Sequence, residues 1–237
     1  IASVCQLYFK VKMPVHPQAL LSYAAGAIGL FASMAFCYMG ASKVPSAIIS
    51  MIYGIAPLVS GLMAIYIFKS APFSAYQWMG LMLGMFGLFF ALGFGSQSFT
   101  LNYLGVGLEL IAMLLYVLSA FAVRSVNASI HPISQMTGAT LVSWVGYASL
   151  LPFFWSEMPT QLPSLQSSIA LIYSALFSSV LAMIFYYALL NKVSPTTLML
   201  ITIMTPVLAT VWGNWLNQEQ LSPDLILGLF LLCLGLA

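Results

Sequence analysis

The sequence predicts an all-α polytopic membrane protein built as an inverted five-plus-five helix repeat: ten transmembrane helices in the full-length protein, about eight of them complete here. Three observations predict it. The 237 residues are 62% hydrophobic and 4% charged. Soluble domains average about 25% charged, so the solvent for this surface is the bilayer. The stretch Met34 to Pro57 returns 149 positions later as Met183 to Pro206. Seven positions coincide without a gap, at Met34/Met183, Phe36/Phe185, Tyr38/Tyr187, Lys43/Lys192, Val44/Val193, Ile52/Ile201 and Pro57/Pro206. A repeat of this size decides the architecture. Finally, five hydrophobic spans separate Lys43 from Lys192, and an odd number puts the two lysines on opposite faces of the membrane.

Taken in order, Ile1 to Phe9 reads as the tail of a helix, followed by a polar loop with Lys10, Lys12, Pro14, His16 and Pro17. Ala19 to Met39 is the first complete span. Its small residues Gly26, Gly29, Ser33, Cys37 and Gly40 fall on one helical face, where a neighbouring backbone can approach closely. Ala175, Ser178 and Ala182 partly repeat that face. Ser46 to Phe68 spans next with Pro57 inside, then a turn over Lys69 to Ser74. Tyr76 to Phe94 carries Gly80, Gly84 and Gly87, and Gly228 and Gly235 repeat the interval between Gly80 and Gly87. This is a helix-packing signature. Gly95 to Asn102 joins the halves, so the expected domains are 1–95, a linker at 96–103, and 104–237. Leu104 to Val123 holds Glu109. Ile133 to Trp155, Ile169 to Leu190 and Thr196 to Leu216 follow. Leu225 to Ala237 is 13 residues, short of the ~20 that cross a bilayer. The chain, starting without Met, therefore reads as a piece lacking its first helix, most of its second and the end of its last.

Charge sets orientation. With the Lys10/Lys12 loop in the cytoplasm, Lys69, Arg124 and Lys192 also fall inside and Lys43 alone outside, with Glu157, Glu219 and Asp224 outside. That is a positive-inside bias. Six scattered basic residues make no nucleic-acid patch. Cys5, Cys37 and Cys233 form no CxxC and no His/Cys cluster, so they read as small packing residues rather than metal ligands or disulfide partners. His16 and His131 sit in loops. No HExxH, GxSxG, GxGxxG or intramembrane carboxylate pair occurs, so neither an enzyme nor a cofactor is expected.

The Pro-containing helices are the candidate substrate site. Proline inside a spanning helix frees the carbonyl four residues earlier, here at Tyr53 before Pro57 and Thr202 before Pro206. In hydrocarbon that carbonyl must be met by protein or cavity water. Ser50, Tyr53 and Pro57 in the first copy, and Met199, Thr202 and Pro206 in the second, would line a polar cavity. The plainer reading is that the polar groups repair the kink and the small ones pack. Glu109 is the carboxylate well inside a span, roughly 7–8 Å deep at 1.5 Å per residue. Met113 and Tyr116 share its face. It would bind a cationic group or a proton, or else snorkel to the outer interface beside the helix N-terminus. Ser178 is a further cavity candidate. Lys43 and Lys192 read either as interfacial anchors or as gates. Tyr38 and Tyr187 fit an interface belt, and Trp144, Trp155, Trp212 and Trp215 fit a belt or packing.

On these residues the chain resembles the drug/metabolite transporter superfamily, specifically its EamA-type members. The pattern is Phe36 to Ser42, Ile48 to Phe68 and Gly80 to Gly87, and again Phe185 to Asn191, Leu198 to Leu216 and Gly228 to Gly235. The family's Glu after the Pro-containing helix is matched by Glu219, whereas the first repeat has Lys69, Ser70 and Ala71 there. The resemblance implies export of a metabolite, amino acid or drug-like compound. The residues themselves suit a neutral, amphipathic or weakly cationic solute moved by alternating access. The expected partners are that solute, a proton or other coupling ion, the lipid bilayer and a second copy in a homodimer. The expected location is the cytoplasmic membrane. The competing reading is a non-transporting membrane binding or regulatory subunit.

Overall fold

A computed structural model describes residues 10–44, 49, 52–69, 74–91, 102–155, 163–202, 208 and 223–236. Every regular element among them is helical. In chain order they are α1 (Pro17–Ala41), α2 (Ala56–Tyr66), α3 (Ala75–Ala91), α4 (Tyr103–Val126), α5 (Pro132–Leu150), α6 (Leu165–Leu190), α7 (195–202) and α8 (Pro223–Leu236). Among the described residues α1, α4 and α6, of 25, 24 and 26 residues, are long and apolar enough to cross a membrane. Large apolar side chains stand exposed throughout, among them Tyr76, Phe153, Leu165 and Phe230. In water so broad an apolar surface would aggregate; in lipid it is the ordinary exterior.

Side chains start these helices. Six helix N-termini carry a side-chain cap, which answers the orphan N–H groups of the first turn. Asn102 Oδ1 accepts from Gly105 N at 3.1 Å, Ser164 Oγ from Ser167 N at 3.2 Å and Ser194 Oγ from Thr197 N at 3.1 Å. Ser74 and Gln77 form a reciprocal capping box, at 2.9 and 3.3 Å. The two histidines expected in loops are caps as well. His16 Nδ1 accepts from Ala19 N, and His131 Nδ1 from Ile133 N, each beside a proline that opens its helix.

One expected span ends early for a local reason, and two depart from α geometry partway along. α5 ends at Leu150 rather than Trp155, because Pro152 cannot continue the ladder and the chain turns into a short 3₁₀ segment, Leu151–Phe153. Inside α1, Ile28–Ser33 is π-helical, and inside α6, Ser174–Leu181 is π-helical. Shifted by the repeat offset of 149, the first stretch lands on 177–182 and overlaps the second. The α-helical ends that follow, Met34–Ala41 and Ala182–Leu190, also correspond.

The described helices form two compact units, Ile1–Met34 with Leu118–Val193, and Ala35–Val117 with Ser194–Ala237. In the first unit α1 packs on α5 through small residues. A Cβ on Gly26 would stand 2.7 Å from Tyr187 Oη and 2.9 Å from Ala139 Cβ, and Gly138 lies against the Tyr23 ring. Buried polar groups pair across helices. Ser22 Oγ donates to Gln135 Oε1 and Gln135 Nε2 donates to Ser22 O, both at 2.8 Å. Around the change from α to π in α1, Ser119 Oγ donates to Ala25 O at 2.8 Å and Tyr147 Oη to Leu30 O at 3.2 Å. These donors serve carbonyls near a disturbed ladder, and such bonds in membranes contribute about 0.6 kcal/mol each. Arg124 Nη1 donates to Leu190 O at 3.1 Å and Asn191 O at 2.6 Å, closing the C-terminus of α6. Tyr187 is 3% exposed beneath Gly26, while its repeat counterpart Tyr38 is 70% exposed. Tyr187 thus fills the groove that Gly26 leaves, and is not available to the interface belt expected of it. Of the residues expected to repeat the small-residue face of α1 in α6, Ala175 is half-buried and Ala182 exposed.

In the second unit α3 and α8 cross backbone to backbone. A Cβ on Gly80 would strike Gly235 O, and one on Gly235 would strike Gly80 O and Gly84 N. Only glycine permits this approach, which is the function expected of the repeated glycine spacing.

Candidate functional site

The site is built where Pro57 breaks its helix. Residues 52–54 are helical, Ile55 is a turn, and α2 begins at Ala56 with the proline in its first turn. The α-helical ladder is interrupted just before the proline rather than running through it. Ile55 N donates to Ile52 O at 3.2 Å, a tightened turn, and Val59 N resumes the ladder to Ile55 O at 3.1 Å. Pro57 has no N–H to offer Tyr53 O. That carbonyl instead meets Thr202 Oγ1 at 3.3 Å, and the same hydroxyl reaches Met199 O at 2.6 Å. Tyr53 and Thr202 occupy equivalent positions of the repeat, 149 residues apart. One turn further on, Ser60 Oγ donates to Thr196 Oγ1 at 3.0 Å, with both side chains buried. Serine and threonine from α2 and α7 thus satisfy each other where a proline has disturbed the backbone.

Glu109 lies in the same unit, on α4. It is 0% exposed, rather than extended to the interface. Gly40 of α1 makes the room: a Cβ there would stand 2.8 Å from Glu109 Oε1 and 3.1 Å from Cδ. The Cys37 thiol lies beside both Glu109 and Tyr53. Neither carboxyl oxygen has a hydrogen-bond partner among the described residues. Met113, one turn along α4, is buried, and the Tyr116 ring stands 6.2 Å from that of Tyr53. One turn in the other direction Gly105 faces Lys43, whose Cβ would be 2.8 Å from a Cβ at that glycine.

Of the sequence-predicted site residues, Tyr53, Pro57, Glu109, Met113, Tyr116, Met199 and Thr202 all fall in this unit. Tyr53 links to Thr202 by hydrogen bond and to Tyr116 by ring contact. Pro57 and Met199 are buried. Ser178 belongs to the other unit, within the π-helical part of α6, and its side chain lies outside the described residues, as do Ser50 and Pro206. Cys37, expected to be a packing residue, is a neighbour of the carboxyl. Its position one turn before Gly40 on the small-residue face was the signal. Lys43 and Lys192 are both exposed, as are Trp144 and Trp155.

A separate cleft of about 990 Å³ opens in this unit among α3, α7 and the end of α8, with Trp78, Phe86, Thr196, Leu200 and Gly235 in its lining. None of the sequence-predicted site residues lines it.

Residues 103–237 match the EamA-like transporter family. The chain is 31% identical over 149 residues to the uncharacterized inner membrane transporter YedA of Escherichia coli K12, covering 62% of this chain and 46% of that protein. It is 26% identical over 168 residues to the uncharacterized transporter YoaV of Bacillus subtilis 168, covering 69% of this chain and 56% of that protein. The chain thus spans about half the length of the curated relatives it matches. A crystal structure superposes on 99% of this chain and 80% of its own with a TM-score of 0.83 at 17% identity, which establishes the shared fold. The family match covers more than half of the chain, and the all-helical membrane fold accords with it: the chain belongs to the EamA-like transporter family of the drug/metabolite transporter superfamily.

Proposed function

We propose that the protein is a secondary transporter of the cytoplasmic membrane that moves a small organic solute by alternating access between two inverted repeats. The observation that carries this reading is the meeting of Tyr53 and Thr202. Repeat-equivalent residues come into contact only near the axis that relates the repeats, and this pair does so at the proline-broken helix. Broken helices near a repeat axis are where transporters of this kind build their sites. The matched π-helical stretches of α1 and α6 support a structural repeat beyond the seven identical residues. The family supports transport as the activity.

The surroundings of the break are hydroxyls, aromatic rings, methionine and a single carboxyl. They suit a neutral, amphipathic or weakly cationic metabolite, amino acid or drug-like solute. A phosphorylated solute would need buried arginine or lysine, and all the lysines among the described residues are exposed. Export down or against an ion or substrate gradient is the direction we assign. Reconstitution of full-length protein in liposomes tests the reading. Exchange of labelled neutral amino acids or amines across the bilayer, lost in Pro57→Ala together with Thr202→Val, is the expected result. A folded protein that moves none of them, yet binds a membrane partner, would favour a non-transporting subunit.

A further inference from the structure

We propose that Glu109 is a proton-carrying carboxyl that couples solute movement to the proton gradient; the coupling rests on the transporter reading above, the proton site does not. The argument starts from geometry. The carboxyl is fully buried in α4, and neither oxygen has a hydrogen-bond partner among the described residues. A carboxylate held in that state in a low-dielectric medium must be compensated by a positive charge or must neutralise. Three compensators are conceivable, and the packing distinguishes them. A metal ion needs a shell of several oxygen ligands, whereas among the described residues the side chains placed beside this carboxyl are Cys37 and Tyr53, on a backbone opened at Gly40. An organic ammonium needs a volume beside the carboxyl. Gly40 leaves none on its side, since even one methyl carbon there would lie 2.8 Å from Oε1. A proton needs neither shell nor volume.

Among the described residues, the titratable and charged groups facing Glu109 are Cys37 on α1 and Tyr53 before the proline break, with Lys43 one turn nearer the end of α4. This arrangement gives the proton a consequence. Cys37 lies beside both the carboxyl and Tyr53, and the Tyr53 carbonyl is the one that Pro57 frees and Thr202 shares. Glu109 therefore stands one side chain from the backbone break. Gaining a proton converts an acceptor-only carboxylate into a group that also donates a hydrogen bond, and so changes what Cys37 and Tyr53 can bond to. In each cycle the carboxylate takes a proton from water on one face, forming an O–H bond, and returns it to water on the other, with the solute moving in exchange.

Two measurements on the full-length protein test this. The first needs no solute. Infrared difference spectra of the purified protein are recorded between about pH 5 and pH 9. A titrating carboxyl C=O band is expected in the wild type, shifted in Glu109→Asp and missing in Glu109→Gln. An unchanged band in a folded Glu109→Gln protein, or no titrating band in the wild type, overturns the proposal. The second uses liposomes and a labelled mixture of neutral amino acids and aliphatic amines. An imposed pH gradient should raise wild-type flux about 5-fold or more. Glu109→Gln should lose that stimulation, so that whatever flux it retains is the same with and without the imposed gradient. Gradient stimulation that survives in Glu109→Gln overturns the coupling. Absence of any wild-type flux defeats the transporter reading, while the infrared result still decides the proton site.

Discussion

Replacing Gly235 by alanine probes the α3–α8 crossing directly. The added carbon would fall on Gly80 O and Gly84 N, which are backbone atoms and cannot rotate aside. An ordinary Cα–H···O approach is about 3.3–3.6 Å between carbon and oxygen, so the helices must separate by roughly 1 Å. Overpacking of this kind costs about 1–3 kcal/mol. Alanine returns up to ~1 kcal/mol through its better helix propensity. The net expectation is a loss of about 1–2 kcal/mol, or about 5- to 30-fold in the folding equilibrium. Gly107→Ala is the control, because a Cβ there meets nothing within 4 Å. It should be neutral or slightly stabilising. Unfolding in mixed micelles with rising SDS, followed by far-ultraviolet circular dichroism, compares the two. If Gly235→Ala and Gly107→Ala unfold at the same midpoint, the crossing is not held backbone to backbone and the packing argument fails.

Further outcomes follow from other contacts. Thr202→Val keeps the shape of the side chain and removes the donor shared by Tyr53 O and Met199 O; a loss of about 0.6–1.7 kcal/mol is expected in the same titration, with Thr202→Ser near wild type. Gln135→Leu leaves Ser22 without its buried partner, so a double-mutant cycle with Ser22→Ala should give a coupling of about 0.5 kcal/mol or more, and additivity would sink the pairing. Single cysteines at Lys43 and Lys192, in a background without Cys5, Cys37 and Cys233, should label from opposite faces of sealed vesicles; labelling from one face contradicts the inverted repeat.

Much of this molecule is legible in the sequence, for identifiable reasons. The repeat, the long apolar spans and the glycine faces are local or periodic features, and Gly26, Gly40, Gly80 and Gly235 make the close approaches their spacing implies. The carbonyl freed by Pro57 follows from covalent chemistry alone, and its partner proved to be the repeat-equivalent residue. Other features were hidden because they depend on residues far apart in the chain. Ser22 and Gln135 are 113 positions apart. The burial of Tyr187 is set by Gly26, not by its own neighbours. Whether Glu109 reaches water or stays inside turns on the missing side chain at Gly40. The π-helical stretches leave no compositional trace at all. His16 and His131 read as loop residues because histidine is an uncommon cap, although the proline after each was a usable sign of a helix start.

Arg124 carries a last implication. Its guanidinium bonds to two main-chain oxygens, Leu190 O and Asn191 O. Both acceptors belong to the main chain, which every residue supplies alike. This fastening of the end of α6 is therefore blind to side-chain identity at 190 and 191, so that substitutions there leave the clasp its two acceptors.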